Sequence, residues 1–361
     1  MANEVFKMAH RREARKGSEK SFAWKSWKVK SFTCLFLVSL LGVQNFSWSA
    51  QPIVRMAQPS TTLNYLSVYA ARANGYFNDE GITLELIIVQ GGADIAAIIS
   101  GNVDFDATST GGLLRAFSGG TDLLGVYNIL GKCVFDLVIR KDTAQRLGIT
   151  PAMPVQERLK RIKGTVIGAG SGIGVIPYQV AYFLVKEAGL EPGKDVTILA
   201  AGGGEAALVA LKTGHIDIMS SGPPFPQIAI KSGDAISLVA NTKGEYPKLN
   251  TFQQAVLLVR PEYAKKNPET VRHVVAALVH GSRWVVENNA KEVARVVAKF
   301  LKNAPPDVLL NTVETIKAAV IPDGRMSFDG LKGVEEVYRA NGVVKKPVPW
   351  DRLVTNEFLP R

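Results

Sequence analysis

Short clusters of serine, threonine and glycine recur along the sequence, each directly after a short apolar run. Hydroxyl groups and free amides at the start of a helix donate readily to an anionic or carbonyl oxygen, and glycine lets the backbone approach a ligand closely. These clusters are therefore the groups with which the chain could hold a small solute. The candidate ligand-binding residues are Ser60, Thr61, Thr62, Gly91, Gly92, Ser109, Thr110, Ser171, Gly172, Gly203, Gly204, Ser221 and Pro223.

Each cluster also has a simpler interpretation. Serine, threonine and glycine cap helices and form tight turns in any strand–helix unit, so one such turn indicates local structure before it indicates a ligand. Ser60–Thr62, Ser109–Thr110 and Ser171–Gly172 favour a binding site as a group, together with the resemblance described below.

Few charged residues lie in these turns. An arginine that pairs with a carboxylate and an acid that pairs with an amine, the usual means of binding an amino acid, are not evident. Arg115 follows Ser109 and Thr110 by about one helical turn or more, and we expect it to be solvated. The turns therefore favour a small anion or a polar organic acid held mainly by neutral donors.

Two sequence patterns that suggest catalysis are incomplete. The glycines within residues 168–174 approach the dinucleotide fingerprint G-x-G-x-x-G, but Ile173 or Val175 stands where the third glycine belongs. Ser171 does not complete G-x-S-x-G, because Ala169 replaces the first glycine. We therefore predict no nucleotide cofactor and no catalytic residue.

Histidine and cysteine are too sparse for a metal site. His273 and His280 share one helix face but lie about 10 Å apart along its axis, too far to bind one metal without further ligands. Cys133, in an apolar run, is expected to be a buried inert thiol, and Cys34 lies in the N-terminal segment. We predict no metal and no cofactor.

Strands and helices must bring the polar turns together. Strand-like runs alternate with stretches of helical spacing in two series, and such alternation predicts parallel sheets in an α/β fold. The turns after the strands then share one edge of each sheet, where ligands bind. The predicted strands are 53–57, 82–89 and 103–107 in the first series, and 165–169, 196–200 and 216–220 in the second.

The last part of the chain differs in pattern. One more strand is predicted over 254–260, and the sequence after it is mostly helical. Because no strands alternate with these helices, we expect them to pack on one existing lobe. The predicted helices are about 268–288, 291–302, 306–319 and 331–340.

The formal net charge of +11 is concentrated near the N-terminus, because residues 1–49 hold nine Lys or Arg and three Asp or Glu. The remaining charge is spread out, without a basic stripe interleaved with aromatic residues, so nucleic-acid binding is not favoured. The composition, with 47% hydrophobic and 21% charged residues, is that of a globular protein.

Residues 1–49 have the pattern of a secretory signal peptide. Lys25, Lys28 and Lys30 precede the apolar residues 31–43, and small residues follow at Ser47 and Ser49. We predict cleavage after Ser49, or after the next residue, and export to the periplasm. An uncleaved membrane anchor is the alternative, since no charge occurs from residue 31 to residue 54.

Several short motifs match one known family in order and spacing. On the basis of these motifs, the chain resembles the periplasmic substrate-binding proteins of ABC importers for nitrate, sulfonates, taurine and thiamine-precursor-like solutes. The resemblance covers about residues 52–360. The motifs are Gln58–Ser60, Ala73–Phe77, Glu80–Ile82, Gly91–Ala93 and Ser100–Asp104, then Gly189–Gly193, Asp195–Val196, Gly203–Gly204, Gly214–Asp217 and Pro223–Pro224.

This resemblance implies the type II periplasmic binding protein fold, with two Rossmann-like α/β lobes joined by a two-segment hinge. Residues 50–130 and 260–361 would form lobe 1 with the C-terminal helices, and residues 131–259 would form lobe 2. The crossing segments are expected near Asn128–Cys133 and Gln254–Pro261.

The resemblance also implies a function and partners. It implies an extracytoplasmic receptor that captures a small anionic or polar organic solute and delivers it to an ABC importer permease in the inner membrane. We expect a monomer. Two alternatives stay open: an enzyme on the same fold resembling thiamine-pyrimidine synthase, whose cysteine-rich motif is not found here, and a ligand-sensing module.

Overall fold

A computed structural model of the protein describes residues 51–90, 92–170 and 172–361. The predicted signal peptide, its cleavage site, Gly91 and Ser171 lie outside the described residues. Within them, no helix combines the length and apolarity needed to cross a bilayer.

Ten strands in the described residues form two five-stranded sheets. The strands are β1 (Ile53–Gln58), β2 (Thr83–Ile88), β3 (Phe105–Ser109), β4 (Leu124–Leu130), β5 (Asp136–Arg140), β6 (Val166–Ala169), β7 (Thr197–Leu199), β8 (Ile218–Ser221), β9 (Ala235–Val239) and β10 (Ala255–Val259). The first sheet has the order β2-β1-β3-β10-β4 and the second has the order β7-β6-β8-β5-β9.

Both sheets have the same mixed arrangement. In the first, β1 pairs in parallel with β2 and β3, whereas β10 runs antiparallel to β3 and β4. In the second, β6 pairs in parallel with β7 and β8, whereas β5 runs antiparallel to β8 and β9. The predicted α/β class is confirmed, with one antiparallel strand inserted into each sheet.

Fifteen α-helices connect and cover the strands in the described residues. They are α1 (Leu66–Ala73), α2 (Tyr76–Asp79), α3 (Ala93–Ile99), α4 (Thr110–Ser118), α5 (Lys141–Leu147), α6 (Val155–Lys160), α7 (Ile176–Glu187), α8 (Gly204–Lys212), α9 (Phe225–Lys231), α10 (Pro261–Lys266), α11 (Pro268–Glu287), α12 (Ala290–Val297), α13 (Pro306–Ile316), α14 (Phe328–Ala340) and α15 (Trp350–Leu353). We call the first sheet with α1–α4 the first lobe, and the second sheet with α5–α9 the second lobe.

The chain passes between the sheets twice, after β4 and before β10. The first passage follows Leu130, as predicted, but the second lies in residues 240–254, so the predicted segment Gln254–Pro261 is mostly strand β10. The two passages are bonded to each other: Gln254 N donates to Leu130 O at 2.8 Å, and Val134 N donates to Gln254 Oε1 at 2.6 Å. The Gln254 side chain of the second passage therefore fixes the first passage through a hydrogen bond.

The C-terminal helices pack on both lobes, so the expectation that they cover one lobe is wrong. Helix α14 packs against α4 of the first lobe and α7 of the second, and α13 packs against α9 of the second lobe. Three hydrogen bonds join the end of α14 to α7: Asn341 donates to Gln179 O at 2.9 Å and to Gln179 Oε1 at 2.8 Å, and Lys186 donates to Ala340 O at 2.6 Å. Helical periodicity identified the apolar faces of these helices but not what covers them.

Helix α11 packs closely on α1 because of a glycine. A Cβ atom at Gly281 would lie 2.5 Å from the carbonyl oxygen of Ser67 and 2.8 Å from the Cβ atom of Ala71. Apolar residues at helical spacing, including Val271, Val274 and Leu278, bury the same side of α11. This pair of helices backs the first sheet, on which one side of the candidate site rests.

Candidate functional site

The carboxyl ends of β1, β3, β6 and β8 lead to one cavity between the lobes. It encloses about 580 Å³, including the part that opens to solvent. Six of the residues predicted from the sequence line it, from both lobes: Ser60, Thr62, Ser109, Gly203, Gly204 and Ser221.

The other described candidates lie near this cavity but do not line it. Thr61 lies in a separate cavity beside Phe225 and Lys302. Thr110 is fully buried, and its backbone N donates to Gln254 O at 3.0 Å.

The remaining described candidates are backbone positions. The carbonyl of Pro223 accepts a bond from Leu63 N at 3.0 Å, which joins the two lobes. Gly92 precedes α3 with φ +81°, and Gly172 lies in the loop before α7. The role of these candidate residues in ligand binding therefore stays a prediction, although their positions in the fold are now defined.

Three helices of eight residues or more begin at the cavity, namely α4, α7 and α8. Ser109 caps α4, and its hydroxyl accepts from Gly112 N at 3.3 Å. Gly203 precedes α8 with φ +105°, a conformation that favours glycine. The positive ends of these helices favour an acidic group in the cavity.

Buried polar atoms without partners line the cavity. Among the described residues, no hydrogen bond reaches Thr62 Oγ1, Asn64 Oδ1, Asp94 Oδ1 or Arg115 Nε. The first three residues are only 4%, 4% and 1% exposed. A buried polar group without a partner costs about 1–3 kcal/mol, so four in one cavity indicate that it holds a polar solute or water.

Arg115 lines the cavity and its Nε atom is buried, so the expectation that it is solvated is wrong. Its side chain crosses from α4 towards the second lobe. A Cβ atom at Gly92 would lie 2.9 Å from Arg115 Nη1, and one at Gly174 would lie 3.1 Å from Arg115 Cδ. No carboxylate of the described residues lies within 4.0 Å of its guanidinium nitrogens, since Arg115 takes part in no ion pair there.

A second charged group, Asp94, also lines the cavity. Its Oδ2 accepts from the Thr108 hydroxyl at 2.7 Å. Asp106 lies beside it on β3 and is fully buried. Burial first, and then repulsion from Asp94, raise the pKa of Asp106 well above its ordinary range.

Apolar and aromatic groups form the rest of the wall. Tyr65, Phe135, Val175, Ile176 and Pro177 line the cavity. Burial raises the pKa of Tyr65 well above its ordinary value, and the nearby Asp94 and Asp106 raise it further, so its hydroxyl is neutral and can donate to a ligand. Sequence reasoning searched mainly the turns. It missed these residues and Asp94, and it assigned Arg115 to solvent, although Tyr65, Asp94 and Arg115 lie within a helical turn or two of the predicted residues.

The lobes make direct contact around the cavity. The Tyr338 hydroxyl of α14 donates to Gly174 O of the second lobe at 2.9 Å. A Cβ atom at Gly111 would lie 1.8 Å from that hydroxyl oxygen, and one at Gly222 would lie 2.8 Å from the Asn64 side-chain nitrogen. Glycine at these positions lets the two lobes close on the cavity.

The residues weighed for metal binding do not come together at a metal site. No group of three or more metal-ligating side chains occurs in the described part of the chain. His273 Nδ1 lies 2.7 Å from Glu80 Oε2, and His280 Nε2 lies 3.8 Å from Glu80 Oε1, so both histidines face one surface carboxylate. Cys133 is buried, and burial raises its pKa to about 12, which matches the predicted inert thiol.

A family model decides the relationship of this chain to known proteins. The model for NMT1/THI5-like proteins matches residues 62–292, more than half of the 361 residues. The chain belongs to the NMT1/THI5-like family. The matched segment includes most of both lobes.

Individual relatives are distant in sequence. The chain is 19% identical to "Putative binding protein YtlA" of Bacillus subtilis (strain 168), over 84% of this chain and 88% of the relative. A solved structure from Bordetella bronchiseptica RB50 matches with a TM-score of 0.74 and 22% identity, covering 85% of this chain and 95% of that one. The alkanesulfonate-binding protein SsuA from Xanthomonas axonopodis pv. citri, bound to MOPS, matches with a TM-score of 0.66 and 17% identity, covering 85% and 99%.

These structural matches establish the periplasmic binding protein fold. The fold alone does not separate binding from catalysis, because the desulfurization enzyme DSZB has a similar structure, with a TM-score of 0.56 and 15% identity over 84% of this chain and 97% of that one.

Proposed function

We propose that this protein is an extracytoplasmic receptor that captures a small anionic or polar organic solute between its lobes and delivers it to an ABC importer. One observation carries the proposal: polar groups from both lobes surround one cavity, and several of those in the first lobe are buried and without partners among the described residues. Family membership supports it, as do the similar fold of the alkanesulfonate-binding protein and the similarity to a named binding protein.

The geometry supports capture by hinge closure. The lobes are connected by two passages, so a rotation about them opens the cavity without breaking either sheet. A solute that touches Ser60 and Thr62 in one lobe and Gly203 and Ser221 in the other gains its full set of contacts only when the lobes are closed. The importer permease would then recognise the closed form.

The predicted domain boundaries, export and assembly belong to this proposal. The sequence predicted residues 50–130 with 260–361 as lobe 1, residues 131–259 as lobe 2, and residues 1–49 as a signal peptide removed on export to the periplasm. We keep these boundaries with one change: β10 (Ala255–Val259) belongs to the first sheet, so lobe 2 would end before it. The protein would act as a monomer, with the permease of the inner membrane as its partner.

We also propose binding without chemical turnover. Of the groups that commonly act as nucleophile or general base, Cys133, His273 and His280 do not line the cavity. Ser60, Ser109 and Ser221 do line it, but no histidine or lysine lies among the described lining residues to activate them. Asp94, the acid among the lining residues, accepts its hydrogen bond from Thr108 and not from one of these serines. A receptor should release its solute unchanged.

The test is recovery of a bound solute. The full chain is exported in bacteria and purified from the periplasm without dialysis, and the solute is released by denaturation and identified by mass spectrometry. The native protein should carry one solute per chain, and Ser60→Ala with Thr62→Ala should carry much less. Ser232→Ala, on the outer end of α9, is the matched control. If neither the purified chain nor a solute library shows any binding, or if the solute is chemically converted, the receptor proposal fails.

A further inference from the structure

Two carboxyl groups lie side by side beneath the first-lobe wall of the cavity. Asp94, in the first turn of α3, is 1% exposed, and Asp106, in the middle of β3, is fully buried. Among the described residues, no donor reaches either oxygen of Asp106. Asp94 is the first charged neighbour that acts on Asp106, because after burial its repulsion raises the pKa of Asp106 most.

Both carboxyls of this pair are buried, but only Asp94 lines the cavity. Two carboxylates in contact in a buried site do not both ionise, since burial and mutual repulsion favour a proton on one of them. Burial, repulsion from Asp94 and a hydrogen bond to Asp94 all raise the pKa of Asp106, which favours a proton on Asp106 rather than on Asp94. Asp94, whose Oδ2 is already held by Thr108, is the member that lines the cavity. Asp94 Oδ1, which has no partner among the described residues, is therefore the carboxyl oxygen of the pair that is open to a solute.

The same cavity holds a separate positive charge. Arg115 lines it and forms no ion pair with the described carboxylates, and its Nε has no hydrogen-bond partner among them. The helices α4, α7 and α8 begin nearby and add positive potential. Arg115 and these helix ends therefore favour an acidic group of the solute, while Asp94 favours a cationic donor group of the solute.

We propose that the solute is a small zwitterion, with its ammonium group bound by Asp94 and its acidic group bound by Arg115. The inference rests on the proposed receptor function and narrows its solute class. A simple anion would place its charge near Asp94 without compensation, and a simple cation would leave Arg115 without a partner. A buried charge without a partner is costly in either case.

This solute class differs from the sequence-based expectation of neutral donors. Neutral donors remain part of the cavity, since Ser60, Thr62 and Ser109 also line it. They would orient the solute, whereas the two charged side chains would select it.

The first experiment compares matched solutes on the full chain by thermal shift and calorimetry. The probes are the common L-amino acids, β-alanine and γ-aminobutyrate, against propionate and butyrate, which lack the amine, and ethylamine and propylamine, which lack the acid. Nitrate and methanesulfonate serve as simple anions. We expect at least one amino acid to bind about 100-fold more tightly than its counterpart without an amine.

The second experiment uses two isosteric variants. Asp94→Asn removes the charge that faces the cavity and should weaken binding of that amino acid by about 100-fold. Asp106→Asn should retain binding within about threefold, because an amide can donate to Asp94 as the protonated carboxyl does. Circular dichroism and the melting temperature establish that each variant is folded.

Each result bears on the inference. Tighter binding of nitrate, methanesulfonate or a deaminated acid than of any amino acid would overturn it while leaving the receptor proposal intact. No binding of any amino acid, or equal retention of binding by both variants, would overturn it as well. Absence of binding by every probe and of any co-purified solute would instead count against the receptor function itself.

Discussion

At the scale of single residues, neighbours in sequence have different roles in the cavity. Thr61 and Thr62 are adjacent and chemically identical, yet Thr62 lines the interlobe cavity and Thr61 lies in a separate one. The hydroxyl of Thr62 is buried without a partner among the described residues, so it can form a hydrogen bond with a solute.

This difference predicts that replacing each of the two threonines by alanine has unequal effects on solute binding. Thr62→Ala should weaken solute binding by about five- to tenfold, the effect of losing one hydrogen bond of about 1 kcal/mol. Thr61→Ala should change it by less than about twofold, since its side chain does not reach the cavity. Isothermal titration with the co-purified solute measures both. Equal losses would show that Thr61 is also part of the site.

A buried acid outside the cavity predicts a pH dependence of stability. Burial raises the pKa of Asp136 to about 7, although its carboxylate accepts bonds from the Thr242 backbone, the Thr242 hydroxyl and Gln227. Between about pH 4 and 7 the folded state therefore holds a proton that the unfolded state has lost. The free energy of unfolding must then fall as the pH rises through this window, by up to about 4 kcal/mol from this group.

Asp136→Asn should remove this part of the pH dependence. Urea unfolding at pH 4, 5.5 and 7.5 should show the variant gaining stability relative to the native protein as the pH rises. Asp142 provides a contrast, because Arg140 lowers the pKa of its carboxyl. Asp142→Asn should lose stability relative to the native protein at high pH instead. A constant difference for Asp136→Asn across the range would contradict its raised pKa.

At the scale of elements, the sequence predicted the regular parts of both sheets. Six of the ten described strands follow the predicted alternation of apolar runs and helices, because each parallel strand is followed by a turn and a crossover helix. A seventh, the antiparallel β10, was predicted from its apolar run alone. Strands β4, β5 and β9 were not predicted. They flank the two passages between sheets, where no strand–turn–helix unit marks them.

The candidate site was predictable only where it consists of turns. Ser60, Thr62, Ser109, Gly203, Gly204 and Ser221 were found because polar turns after parallel strands meet at one sheet edge. Asp94 was missed, and Arg115 was wrongly expected to be solvated, because both lie inside helices, where sequence spacing does not tell which face points to the cleft. Helix α4 is buried over most of its length, so its pattern gives no solvent side for Arg115.

The contact between α1 and α11 gives a prediction at the element scale. Gly281→Ala places a methyl group 2.5 Å from the carbonyl oxygen of Ser67, so the helices must separate. We expect a loss of about 1–3 kcal/mol in the free energy of unfolding. Arg283→Ala, on the exposed side of the same helix, should cost less than about 0.5 kcal/mol. Equal stability of Gly281→Ala and Arg283→Ala in urea would show that the contact is not close in solution.

At the scale of the whole molecule, the C-terminal helices contact both lobes, whose relative motion the proposed hinge allows. Helix α14 packs on α4 and α7, and its Tyr338 lies beside Gly111 of the first lobe while bonding to Gly174 of the second. Gly174 belongs to the loop that also approaches Arg115. The hydrogen bond from Tyr338 to Gly174 is therefore positioned to form when the lobes close around the solute.

Tyr338→Phe tests whether this bond belongs to closure. If the bond forms only in the closed state, its loss reduces the closed fraction and raises the apparent dissociation constant in proportion. We expect about fivefold weaker solute binding, the effect of one hydrogen bond of about 1 kcal/mol. The ring and its packing stay, so the melting temperature without solute should hardly change. Small-angle scattering should show a compact form at saturating solute for both proteins, reached at higher concentration by the variant. A lower melting temperature with unchanged affinity would instead make Tyr338 a fixed part of the scaffold, whose bond to Gly174 persists when the cavity opens.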